Sequence, residues 1–356
     1  MLDLTEAACG CNKWCRDHDS KWGKCGDGHT CLCSNGSQED MTNGQSANGC
    51  GCNKWCQDQG HKSGKCGDGH TCICDERKNI PTLPAPPATW KEHWFEHREL
   101  LTRVYYDNDL ALYYEKEVSR ATIPKVSKFL GNAWRYVKRN YGSFGSDGRL
   151  YAIYHAKAIG GHPAYYYSSS HDNRNAIDVG MGSGLQQIEH PDMPTHEIFH
   201  IVEFAAFNID GSPGFGNPPN GIWGDSKMAE IFIYDVYKGL SLHSDAKRFK
   251  NSVIGGTSNV PKPNTYWFRD WLLPWYTKGG GTKSLVNFFR LLSQNFPKHS
   301  GTNRYSRQMN WGEFIHFSSG AAGANMKNQA KIAFGWTNDM EKQFNKARSD
   351  FPNVKY

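Results

Sequence analysis

From Met193 to the C-terminus, apolar residues recur at intervals of three and four, the period of a helix buried along one face. The stretches 193–208, 226–240, 281–295, 310–319, 324–334 and 338–349 are read as helices on this basis. Ile123–Tyr141 follows the same period and carries a basic patch at Arg135–Arg139, and Trp90–Tyr114 is also read as helical. Two stretches differ. Arg149–Ala156 (RLYAIYHA) and Asn175–Gly180 (NAIDVG) alternate or run apolar without a break, as short strands do. A small sheet followed by a mostly helical half is an α+β arrangement.

Cysteine changes this picture at one end of the chain. All 12 cysteines lie between Cys9 and Cys74, and residues 75–356 contain none. An even number packed into so short a stretch reads as disulfides made in an oxidising compartment, so the protein is expected to be secreted. The spacing lacks the paired C-x2-C knuckles of zinc-binding cysteine modules. Residues 9–33 (CGCNKWCRDHDSKWGKCGDGHTCLC) and 50–74 (CGCNKWCQDQGHKSGKCGDGHTCIC) are a tandem repeat, identical at 19 of 25 positions. In each copy a C-x3-C pair places two thiols one turn apart on a short helix, and a C-x-C pair places two on one face of a strand. Facing pairs can bridge as Cys11–Cys31 with Cys15–Cys33, and as Cys52–Cys72 with Cys56–Cys74. Cys9–Cys25 and Cys50–Cys66 are left to close the loops. Six cysteines admit other connectivities, which the sequence leaves open.

This frame, with Gly23-Lys24-Cys25 and Gly64-Lys65-Cys66 ahead of the last strand, resembles the cysteine-stabilised αβ fold of defensins. The first cysteine arm is shorter than in that family, and each copy has a net charge of only +1, little for a membrane-disrupting peptide. Ser34–Gly49, rich in Ser, Asn, Gly and Gln, reads as a flexible tether. Asp75–Thr89, with Pro81, Pro84, Pro86 and Pro87, reads as an extended spacer. The expected organisation is a module at 9–33, a linker at 34–49, a module at 50–74, a linker at 75–89 and a large domain at 90–356. Before Trp90 there are 9 Lys+Arg against 11 Asp+Glu, and from Trp90 onward 32 against 24. That mild basic excess is no nucleic-acid footprint. A chain with 13% aromatic and 21% charged residues is not disordered, and no apolar run reaches the ~18 residues of a membrane span. The opening Met-Leu-Asp-Leu-Thr-Glu has no basic n-region and no apolar h-region, so a signal peptide is expected to be absent or already removed.

The sharpest chemical signal is His196-Glu197-Ile198-Phe199-His200, an H-E-x-x-H motif. On a helix the two imidazoles lie one turn apart on one face, where both can bind one Zn2+. Asp192 is expected to cap that helix, with Pro194 in its first turn and Ile198, Ile201, Val202 and Ala205 as its apolar stripe. Glu197 is expected to be the general base, taking a proton from zinc-bound water and passing one to a leaving amine.

A third protein ligand is needed. The metzincin continuation x-x-G-x-x-H is absent, because His200 is followed by IVEFAAFN. In Gly221–Leu240 (GIWGDSKMAEIFIYDVYKGL), Asp225 or Ser226 is read as the cap of a helix with Glu230 in its second turn. That arrangement resembles the gluzincins, the thermolysin-like zincins in which a Glu on the next helix completes a His2Glu site. The resemblance implies His196, His200 and Glu230 as ligands and Glu197 as base. Asp225 as ligand would make an aspzincin-like site. Glu203 lies a turn too far along the same helix, and His243 is a lone histidine. An oxyanion-stabilising side chain is sought among Tyr266, Tyr305 and His316, without a choice between them. The run His162–His171 (HPAYYYSSSH) is read as sheet and loop, with an edge strand lining the cleft as the alternative. There is no G-x-S-x-G elbow, and the glycine runs at 279–281 and 320–323 lack a P-loop's Lys-Ser/Thr.

Trp14 and Trp55 offer faces that bind sugar rings or fill a tiny core. Two weak sites on a tether gain avidity on a repetitive polymer. The expected fold is multidomain, two disulfide-rich αβ defensin-like modules followed by an α+β zincin-type catalytic domain. The expected function is a secreted, monomeric zinc metallopeptidase acting on protein or peptide substrates. Its modules would target it to a cell-wall or matrix polysaccharide, and no nucleic-acid partner is expected. The alternatives are a zinc-dependent cell-wall glycan or peptidoglycan hydrolase, and a non-enzymatic defence or toxin protein acting through the modules. The H-E-x-x-H motif argues against the last.

Overall fold

The computed structural model describes residues 83–92, 94, 98–157, 160–181 and 186–356, with short stretches at 23–25, 30–33, 38–40, 63–66 and 72–74. The chain forms two compact units, Met1–Thr82 and Leu83–Tyr356. In the first, β1 (Gly23–Cys25), β2 (Thr30–Cys33) and β3 (Gln38–Asp40) make an antiparallel sheet, and β4 (Gly64–Cys66) pairs with β5 (Cys72–Cys74). The C-x-C pairs fall on strands, with Cys25 opposite Cys31 and Cys66 opposite Cys72. Strand β3 lies inside the segment read as a tether and pairs with β2. The C-x3-C segments, with Cys9, Cys11, Cys15, Cys50, Cys52 and Cys56, lie outside the described residues, as do Trp14 and Trp55. The disulfide pairing therefore lies outside them too.

The second unit is mixed α/β. Strands β6 (Thr89–Lys91), β7 (Leu100–Tyr106), β8 (Leu110–Tyr114), β9 (Leu150–His155), β10 (Gly161–Ala164) and β11 (Asn175–Gly180) build one sheet in the order β10-β11-β9-β8-β7-β6. The central β8, β9 and β11 run parallel, and the flanking strands pair antiparallel. Trp90–Tyr114, read as helical, is thus three strands. Its Leu110–Tyr114 run is buried at every position, and an unbroken apolar run carries no period that separates a strand from a helix. Both faces of the sheet are covered. Leu112, Tyr114, Ala152, Tyr154, Ile177 and Val179 join the main core, whereas Ala111, Tyr113, Tyr151, Ile153 and Ala176 pack with Trp90 and Trp94.

Nine helices among the described residues are used below and are numbered in order: α1 (Ile123–Tyr141), α2 (Asp192–Ala205), α3 (Lys227–Gly239), α4 (His243–Val253), α5 (Leu273–Lys278), α6 (Thr282–Asn295), α7 (Trp311–Ala322), α8 (Lys327–Phe334) and α9 (Asn338–Asp350). Helix α4 and the segment from Trp267 to Lys278, which opens as a π-helix, are not among the helices that the sequence predicts. The end of the Pro-rich stretch belongs to this unit. The Pro87 carbonyl accepts from Tyr113 Oη at 2.8 Å, the Pro86 carbonyl accepts from Arg103, and β6 extends the sheet. No helix among the described residues is long and apolar enough to cross a membrane.

Candidate metal centre

Helix α2 packs against β10 and β11 at the sheet edge and against α3. It begins after Pro191, so Asp192 lies in its first turn and does not cap it. The Asp192 carboxylate instead accepts from both terminal nitrogens of Arg248 and from Tyr237 Oη. One helical turn separates His196 from His200, and their Nε2 atoms approach to 3.0 Å. The Asp225 carboxylate closes the group, with Oδ2 3.3 Å from His196 Nε2 and Oδ1 3.2 Å from His200 Nε2. Two imidazole lone pairs at that distance repel unless a cation or proton lies between them. Ligands of a tetrahedral zinc stand roughly 3.3 Å apart, so this donor set fits the ion.

Glu230, expected as the third ligand, does not join this group. Its carboxylate lines the same cleft but accepts from Lys227 Nζ at 2.9 Å. The physical reason is position: Glu230 sits a turn inside α3, whereas Asp225 comes off the loop just before the helix. Nor does Asp225 cap α3, because Ser226 holds the N-cap without a side-chain bond. His243 is exposed at the start of α4, apart from the group.

Electrostatics follow the geometry. Hydrogen bonds from His196 and His200 hold the Asp225 carboxyl well below its usual range. Burial would lower the His200 pKa, but hydrogen bonds to Asp225 and Glu203 outweigh it and lift it to about 10. A metal ion at this point competes with that proton. Glu197 is 4% exposed, and burial raises its pKa above the ordinary carboxylate value. Strand β10 passes directly against it: a Cβ added at Gly161 would lie 2.2 Å from Glu197 Oε1.

The cleft has a volume of about 680 Å³. Tyr165, Phe204 and Phe215, packed ring on ring, are in its lining, as are Met193, Ile233 and Phe249. Tyr266, Tyr305 and His316 are not in this lining. Tyr266 lies against the Arg269 guanidinium, Tyr305 packs on Phe296, and His316 is tied to the Phe351 carbonyl and Tyr356 Oη. Tyr165 is the cleft tyrosine, stacked on Phe204 at 5.3 Å. Its signal was the aromatic run after His162, whose first residues form β10.

A second group on the far face of the sheet was not legible in the sequence. His155 Nε2 lies 2.8 Å from Glu92 Oε1 and 3.0 Å from Asp178 Oδ1, all three buried. Burial would depress His155, but Asp178 and Glu92 outweigh it and push its pKa up to about 10. The donor types suit a cation, yet a protonated imidazole between two carboxylates satisfies the same geometry. It ties β9 and β11 to the strand-flanking segment at Glu92.

No protein-family model matches the chain, and no curated protein matches it. Among solved structures, a functionally unknown conserved protein from Bacillus anthracis str. Ames is similar at 12% identity and a TM-score of 0.37. The match covers 67% of this chain and 50% of that one, a likeness too low to carry an argument.

Proposed function

We propose that this protein is a zinc-dependent hydrolase of peptide bonds. The observation that supports this most is the meeting of His196 Nε2, His200 Nε2 and the Asp225 carboxylate beside buried Glu197, in a cleft large enough for a peptide. On this reading His196, His200 and Asp225 hold the ion, an aspzincin-like set in place of the gluzincin-like set with Glu230. Bound zinc supplies Lewis acidity toward a carbonyl and toward water. Glu197 accepts the proton of the attacking water and returns it to the leaving amine, and its burial raises its basicity for that task. Edge strand β10 borders the cleft beside Glu197. Secretion and polymer targeting by the N-terminal modules remain part of the proposal. They are supported by the cysteine-dense repeat and its paired Trp14 and Trp55.

The test is hydrolysis of casein and short peptides, with metal analysis and an anomalous-scattering map at the zinc edge. Activity should be abolished by a chelator and restored by zinc, with the ion on His196, His200 and Asp225. Peptide cleavage that survives complete zinc removal would refute the mechanism. No cleavage by zinc-loaded protein, with release of sugars from cell wall, would move the substrate to a glycan.

A further inference from the structure

Glu203 lies one turn beyond His200 on α2, and none of its side chain is exposed. A carboxylate so buried persists only where hydrogen bonds surround it. Its partners come from the parts of the metal centre. Oε2 stands 3.0 Å from His200 Nδ1. Oε1 accepts from Ser212 Oγ at 3.0 Å and from Trp223 Nε1 at 2.6 Å. Ser212 and Trp223 bracket the loop that ends in Asp225. Within it the Ile222 amide donates to the Gly214 carbonyl and the Gly224 amide to the Gly216 carbonyl. A Cβ on Gly214 would lie 2.0 Å from the Trp223 ring, so the indole rests against bare backbone.

Resting on the metal reading above, we propose that Glu203 is the positioning residue of the centre, one carboxylate that organises two of its ligands. Through Oε2 it keeps the His200 proton on Nδ1, so that the Nε2 lone pair faces the site. Through Oε1 it pins the Ser212–Trp223 loop, so that Asp225 arrives opposite both histidines. Glutamine at this position cannot do both. With its amide oxygen toward Trp223 and Ser212, its NH2 group meets Nδ1 and drives the histidine proton to Nε2. With the amide reversed, NH2 faces the Trp223 N–H.

The experiment uses the full chain and Zn2+ alone as probe, with affinity read by chelator competition. Glu203→Gln should bind zinc about 10–100-fold more weakly, and its zinc-free form should still melt cooperatively, at a lowered temperature because one buried hydrogen bond is lost. In zinc-loaded wild type labelled with 15N-histidine, the His200 proton should sit on Nδ1. Should Glu203→Gln not fold, Trp223→Phe decides: it keeps an aromatic ring and removes one donor, so zinc affinity should fall by a smaller factor. Wild-type affinity in the folded Glu203→Gln protein, or in Trp223→Phe when that variant decides, overturns the inference. So does a His200 proton on Nε2. Wild type that takes up no zinc brings down the metal reading itself, a different outcome from zinc uptake that is indifferent to Glu203.

Discussion

Replacing Gly161 with Ala should disable the base while sparing the fold and the metal. A Cβ there would lie 2.2 Å from Glu197 Oε1, 2.6 Å from Cδ and 2.7 Å from Cγ. Ordinary carbon contacts begin near ~3.5 Å, so the carboxylate must retreat by roughly 1 Å. The retreat is cheap for stability, because the clashing atoms are the end of a side chain that borders an open cleft. Replacing Gly by Ala also removes unfolded-chain entropy worth about 0.4–1 kcal/mol, which offsets residual strain. Catalysis is less forgiving. A 1 Å misplacement of a reacting group costs on the order of 10²-fold, or about 2.7 kcal/mol of transition-state stabilisation. His196, His200 and Asp225 are not among the nearest atoms, so zinc content should not change. The assay is kcat/KM on a soluble peptide, with zinc content and thermal melting measured on the same samples. Wild-type kcat/KM in a zinc-replete Gly161→Ala protein would refute the placement of Glu197 against β10. Loss of zinc in that variant would show that the strand supports the ligands and not the base.

Other expectations follow from the same geometry. His196→Ala, His200→Ala and Asp225→Ala should each lose zinc, whereas Glu197→Gln should keep zinc and lose activity. Glu230→Gln should keep its zinc stoichiometry, and loss of the metal in that variant would restore Glu230 as the ligand. His155 is raised from its usual 6.5 to about 10, so its contribution to stability is full below pH 6.5 and fades as pH rises toward 10. An NMR titration of His155 with an ordinary midpoint would refute that. A fragment of residues 83–356 should fold alone and cleave soluble peptides at nearly the full-chain rate. Its start matters, because the Pro86 and Pro87 carbonyls are hydrogen-bonded to Arg103 and Tyr113. On chitin, fungal wall and peptidoglycan, pull-downs should retain the full chain better than this fragment, and Trp14→Ala with Trp55→Ala should weaken retention. Equal retention on all three polymers would remove the targeting role.

What could be read along the chain is what local periodicity controls. The helices α2, α3 and α6 to α9 follow from apolar residues three and four apart, and the meeting of His196 with His200 is a property of helical pitch alone. Strands β9 and β11 are legible as alternating or unbroken apolar runs, yet the similar run in β8 reads as well as part of a helix, because a strand buried on both faces has no period. Tertiary structure decided the remainder of the site. Asp225 and Glu230 are both carboxylates near the start of α3, and nothing local ranks them. Asp225 meets the histidines because the loop before it is hydrogen-bonded to Glu203, twenty residues earlier in the case of Trp223. Gly161 matters only because β10, paired to β11, passes against Glu197. His155, Glu92 and Asp178 come from three separate places in the chain: His155 and Asp178 are diagonal neighbours on one face of the paired β9 and β11, and Glu92 reaches them from the segment just after β6. Contacts of that kind depend on how elements pack, and side-chain spacing along one element carries no record of them.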